Sequence, residues 1–517
     1  MASPPPSSGN DALRQAMALH RAGRLQEADE RYAAVLRAEP RQAQALRLRG
    51  ILARDTGHHE LSLKLLRKAA DAAPADPEPA AELGLSCLAA GYLQLAEAAF
   101  RKALARDPDS GKALANLGAL LQYRGHAQAA IDCHRRVLEL DPDDLEVRCN
   151  LATTLVEAGR GDEALVECDA ALVVAPGEPG LLATKGAVLV GLGRHADAAP
   201  LLEAALEAGP DDMALINLGL ARQALGQPGQ AIAVLETAVR VNPDNARATA
   251  DLTALLSAEG RSEAALRLSD DFLKRHPGER LVLASRGVAL RDAGQAEQAR
   301  ALIDLERLVR ISELPVPRGF TGIAEFNGQL ATLLRGDPSL LASPLSKATR
   351  GGAQTGELDP DSSPILGAFR DTLNAELRTL VGELRREGFA GHPVMAWAAE
   401  RWTLRLWGTL LAPGGHQLPH LHPLAWLSGV YYVEVPPGLG TDGALEFGEP
   451  PPGISARVGP ERRRISATPG RLVVFPSWFW HRTLPFTQPG ERISLAFDVM
   501  PLATGACSPG RPVVSRA

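Results

Sequence analysis

At 517 residues the chain is too long for one hydrophobic core, so two or three domains are expected. A formal net charge of -6 supplies no electrostatic reason to expect nucleic acid or an anionic membrane as partner. No apolar run approaches the roughly 18 residues of a membrane span, and the opening Met-Ala-Ser-Pro-Pro-Pro-Ser-Ser-Gly-Asn lacks the basic and apolar regions of a secretory signal. Residues 1–10 read as a disordered tail. The cysteines (Cys87, Cys133, Cys149, Cys168 and Cys507) are scattered, with no C-x-x-C, which fits a reducing compartment, so a cytoplasmic location is expected. All six tryptophans lie between Trp397 and Trp480, whereas residues 11–300 are rich in Ala, Leu and Gly. This break predicts a helical array first and a β-rich domain second.

Over residues 11–311 the prolines recur at a fixed interval. Pro40, Pro74, Pro108, Pro142, Pro176, Pro210, Pro243 and Pro277 stand 34 residues apart, with one step of 33. A grid of small residues repeats with them: Gly84, Ala96, Phe100 and Ala103 correspond to Gly118, Ala130, His134 and Val137, and then to Ala152, Ala164, Cys168 and Ala171. Gly or Ala lets two helices approach, a Gly between them ends the first, and Pro stops the second. This pattern resembles the tetratricopeptide repeat. The resemblance implies an all-α TPR superhelix of about nine repeats, the ninth lacking its proline. Such an array implies a groove that docks a protein or peptide partner, a plain spacer being the other reading.

Residues 312–395 join the two regions. A proline-bounded linker follows Ser312, a short helix is predicted over Ile323–Leu334, and Thr349-Arg-Gly-Gly-Ala-Gln-Thr355 reads as a loop because it is too Gly-rich for a regular element. Residues 363–387 form an amphipathic helix with Ile365, Leu366, Phe369, Leu373, Leu377, Leu380 and Leu384 on one stripe. That stripe predicts a buttress for the sheet that follows.

Residues 396–501 read as short strands between Gly- and Pro-rich turns, and 502–517 as a flexible tail. Glu461-Arg-Arg-Arg464 reads as a solvated hairpin loop. His420 and His422, two apart in an extended segment, point to one face and can reach one metal ion. His481 ends the turn-strand-proline stretch Pro469–His481. Arg492 and Ser494 share a strand face and together suit a carboxylate.

His420-Leu-His422-Pro, Leu427-Ser-Gly-Val-Tyr-Tyr-Val433, Gly443-Ala-Leu-Glu-Phe447, Phe475-Pro-Ser-Trp-Phe-Trp-His481 and Arg492-Ile-Ser494 together resemble the 2-oxoglutarate- and Fe(II)-dependent oxygenases, in particular a bacterial and phage group with an H-x-H-P…S-G-V-Y-Y signature. The resemblance spans about residues 315–500, with Gly351–Thr355 similar to that group's upstream segment. It implies an α+β double-stranded β-helix (jelly roll) that binds Fe(II) and 2-oxoglutarate and hydroxylates a substrate C–H bond. His420 and His481 are then metal ligands. Arg492 pairs with the distal carboxylate of 2-oxoglutarate, helped by Ser494, and either Tyr431 or Tyr432 lies beside the cosubstrate; Tyr432 is preferred. The departure is His422, where most of the superfamily has a carboxylate. Either His422 ligates, or water takes the place, or a carboxylate such as Asp442 or Glu446 arrives from elsewhere; ligation by His422 is adopted. His416 reads as a polar loop neighbour. Trp426, Trp478 and Trp480 either wall the pocket or pack the core. Two other functional readings stay open: a repeat scaffold with an inactive oxygenase-like domain, and a cupin-type metal enzyme that does not use 2-oxoglutarate.

Overall fold

The structure, a computed structural model, describes residues 9–342, 347–454 and 456–502. Most of the expected N-terminal tail and all but Leu502 of the C-terminal one lie outside these residues. Among the described residues the chain forms two compact units, one of residues 9–124 and 129–150, the other of residues 125–128 and 151–502. No helix among them is long and apolar enough to cross a membrane.

Nine helix pairs run from Gly9–Arg21 to Ala296–Leu302, as the 34-residue period predicts. The physical device is a small residue on one helix facing a large one on the next. In the first unit, a Cβ on Gly84 would stand 2.5 Å from the Phe100 ring, and one on Gly118 would stand 2.6 Å from the His134 ring. In the second unit Gly186 faces Leu202, and Gly287 faces Ile303. Between helices, Gly57 and Gly91 each take φ 80°, the left-handed conformation that ends the first helix of a pair. The last helix of the array stops at Leu302, a single helical turn follows over Leu305–Leu308, and the chain becomes a strand at Arg310.

The second unit holds a curled antiparallel sheet of ten strands: β1 Arg310–Glu313, β2 Leu341–Ala342, β3 Thr349–Gln354, β4 Trp402–His420, β5 Leu427–Glu434, β6 Leu445–Phe447, β7 Arg463–Ile465, β8 Arg471–Pro476, β9 His481–Thr483 and β10 Arg492–Pro501. The main path runs β1-β8-β5-β10-β4-β9-β6-β7, with β3 also on β4. β4 produces the curl. Its first half pairs with β10 from Trp402 to Leu411; past Gly414 (φ 82°) it pairs instead with β9, Gln417 opposite Thr483 and His420 opposite His481. This is the double-stranded β-helix expected.

Alternation assigns the two faces. On β10, Ile493, Leu495, Phe497 and Val499 are buried on one side with Leu404, Leu406 and Leu410 of β4 and Leu427, Tyr431 and Val433 of β5. This side packs on helices Ile323–Arg335 and Pro364–Arg386 through Phe326, Leu330, Phe369, Leu373 and Leu377. Each such side chain contributes about 1.5–3 kcal/mol on burial. The same cluster continues into the repeat helices between Ala231 and Leu302.

Three expectations are corrected. The Gly-rich Thr349–Gln354 is a strand, because its glycines permit close backbone approach: a Cβ on Gly352 would sit 2.4 Å from the Leu410 carbonyl oxygen of β4. Glu313, the first residue of the expected linker, lies in β1, paired with Arg471 of β8. Arg463 and Arg464 belong to β7 rather than to a solvated loop. The Arg463 side chain donates to the Leu305, Glu306 and Val309 carbonyls, and Arg464 donates to Glu446 at 2.6 Å.

Candidate metal and anion site

The other face of the sheet carries the polar residues. His420 closes β4, His481 opens β9 directly opposite it, and His422 follows β4 with its backbone N–H donating to the Ser477 carbonyl at 2.9 Å. Ring centroids are 4.3 Å apart for His420 and His481, 5.2 Å for His420 and His422, and 5.1 Å for His422 and His481. One nitrogen from each ring lies within 4.8 Å of the other two.

Hydrogen bonding assigns the tautomers. His420 Nδ1 faces the Leu418 carbonyl at 2.8 Å, and His481 Nδ1 faces the Phe479 carbonyl at 2.9 Å. A carbonyl only accepts, so each Nδ1 carries the proton and each Nε2 keeps its lone pair. His422 Nδ1 stands 2.7 Å from Asp498 Oδ1. Burial, then repulsion from His422, pushes His420 down to about 3, and burial with the other two rings holds His481 well below the usual histidine value. Three converging imidazoles are a donor set of a divalent transition metal, so these residues fit one.

Neither carboxylate considered from the sequence joins this cluster. Glu446 is fully buried between Arg464 and Arg482, and Asp442 accepts from Gln488 at 3.3 Å. His416 lies within β4, its Nδ1 toward the Gly414 carbonyl, outside the cluster.

Farther along the same face is a buried cationic group. Arg492 is 1% exposed, no carboxylate among the described residues bonds it, and its Nε has no hydrogen-bond partner. Burial holds it below the usual arginine value. Its guanidinium lies 4.9 Å from the Tyr432 ring centroid. Ser494 of β10 stands opposite both Thr409 of β4 and Tyr432 of β5, and partners opposite one another point the same way. The Thr409 and Tyr432 hydroxyls are also buried without partners. An unpaired buried cation ringed by unsatisfied hydroxyls fits a carboxylate. Tyr431 points to the opposite face, donating to Asn327 at 2.6 Å and packing on Phe369.

The sequence reading missed Asp498, Ser428, Thr409 and Trp407. Trp407 stacks on His422 at 5.4 Å, whereas Trp426 is core, its indole N–H donating to the Val394 carbonyl. The two-residue period that singled out Arg492 and Ser494 continues to Asp498, and that signal was available. Burial opposes charge on Asp498, but His422, the Ser428 hydroxyl and Arg405 more than offset it, so its carboxyl stays below the usual range.

These features define a helical-repeat protein with a double-stranded β-helix that gathers three histidines and a buried arginine on one face. Family comparison names both parts. The family described as "Putative 2OG-Fe(II) oxygenase" matches residues 405–498, and tetratricopeptide repeat families match residues 13–77, 121–187, 184–222 and 222–286. The chain therefore carries N-terminal tetratricopeptide repeats and a C-terminal 2OG-Fe(II) oxygenase-family domain. No curated protein matches it. Similar solved structures include a tetratricopeptide repeat protein from Parabacteroides merdae (17% identity, 45% of this chain and 93% of that one, TM-score 0.41). Another is Pseudomonas aeruginosa pilF (19%, 40% and 94%, TM-score 0.34), and a third is the APC/C hetero-tetramer Cut9-Hcn1 (18%, 54% and 55%, TM-score 0.39).

Proposed function

We propose that this protein is an Fe(II)- and 2-oxoglutarate-dependent hydroxylase acting on a C–H bond of a protein or peptide docked by its repeats. The observation that carries the reading is a cluster of three imidazoles on the same sheet face as a buried, unpaired Arg492. His420, His422 and His481 hold Fe(II) through Nε2. Arg492 takes the distal carboxylate of 2-oxoglutarate, with Ser494, Tyr432 and Thr409 completing its hydrogen bonds. When bound, the metal and keto acid with O2 supply the oxidant, and 2-oxoglutarate leaves as succinate and CO2. The chain's own part is to orient the keto acid from Arg492, keep His420 and His481 neutral and exclude water behind Trp407, Phe447 and Phe475. For docking, the second unit offers a groove of about 520 Å³ lined by small residues such as Ala183, Thr184 and Ala187, with exposed Met213 at its wall.

The test is succinate formation by the full chain with Fe(II), 2-oxoglutarate and O2. Turnover is expected to vanish in His481→Ala and Arg492→Ala. No succinate under any metal loading refutes the proposal.

A further inference from the structure

A cluster of three imidazole ligands leaves a divalent ion without the negative charge that a carboxylate ligand would bring. We infer that Asp498 supplies this charge from one bond further out, as a positioning residue acting through His422. The inference rests on the reading of His422 as a ligand.

The geometry is built for it. Asp498 on β10 stands opposite Ser428 on β5 and Arg405 on β4, so all three side chains share the site face. Its Oδ1 lies 2.7 Å from His422 Nδ1 and accepts from Ser428 Oγ at 2.6 Å. The Asp498 side chain is 11% exposed and that of His422 14%, so water screens the contact little. Arg405, on the same face, is engaged by Glu357 at 2.7 Å, while Asp498 is bonded to His422. Trp407 stacks against the His422 ring and limits its swing. An anionic acceptor on Nδ1–H fixes the tautomer, aims Nε2 and strengthens its donation to a metal. His420 and His481 have only backbone carbonyls in that role. His422 is thus the one ligand of the three backed by a full negative charge.

The test uses the metal-free full chain titrated with Co(II) alone and followed by its visible absorption. Asp498→Asn, which keeps shape and an acceptor oxygen but removes the charge, should weaken Co(II) binding 10- to 100-fold. Asp498→Ala serves as a second variant should the first not fold, with far-UV circular dichroism checking both. In a His422→Ala background, Asp498→Asn should cost nothing more. Asp498→Asn binding as tightly as the parent overturns the inference, and so does an equal further loss in the His422→Ala background. If His422→Ala itself binds Co(II) like the parent, the ligand assignment fails instead, and the inference with it.

Discussion

Arg492 offers a test in which stability and binding move in opposite directions. Arg492 is 1% exposed, its Nε is unpaired, and its guanidinium lies 4.9 Å from the Tyr432 ring centroid. A buried charge without a counter-ion costs several kcal/mol, and replacing such groups with apolar ones of similar volume returns about 1–4 kcal/mol. Arg492→Met should therefore stabilise the ligand-free protein. At about 2 °C per kcal/mol for a unit of this size, Tm rises by about 2–8 °C. The parent, given Fe(II) under argon and 2-oxoglutarate at about 100 times Kd, should gain about 2.7 kcal/mol that Arg492→Met does not gain. Thermal melting with and without the keto acid reads both effects. A variant that melts lower than the parent while ligand-free, or that still shifts with 2-oxoglutarate, refutes the idea that Arg492 is held in place for an anion.

Two further predictions concern stability. His134 is fully buried against Gly118 with neither ring nitrogen bonded, and burial lowers it from 6.5 to about 4. Between those values the unfolded chain binds a proton that the folded one refuses, so this contribution is intact above pH 6.5 and falls away toward pH 4, by about 3 kcal/mol in all. His134→Phe, copying Phe100 one repeat earlier, should widen its stability lead over the parent by that amount between pH 7 and pH 4 in urea denaturation; a constant gap contradicts it. Glu446 is wholly buried and ion-paired to Arg464 and Arg482. Glu446→Ala strands Arg482 and unties β7 from β6 and β9, but both arginines can turn toward water. The expected cost is therefore about 2–3 kcal/mol, below the 3–5 of a fully enclosed pair, and an unchanged melting temperature would show the network to be idle.

The sequence by itself determined whatever repeats or alternates. Each helix pair buries its face against its neighbours, so small residues and prolines at a period of 34 carry the whole array without distant contacts. Alternation likewise exposed His420 with His422, and Arg492 with Ser494, because a strand turns every second residue to one face. Tertiary structure decided which strands lie side by side. Asp498 meets His422 across 76 positions, and Ser494 falls between Thr409 and Tyr432, only because β4, β10 and β5 pair in one register. Short strands such as Arg463–Ile465 have no apolar pattern of their own, being held by ion pairs and by carbonyls at a helix end. Arg280 of a repeat helix donates to the carbonyl of Pro423, the residue after His422 and 143 positions away, and lies 4.2 Å from the Trp397 ring. Local periodicity records which face a residue takes, whereas the partner across that face follows from packing between segments far apart in the chain.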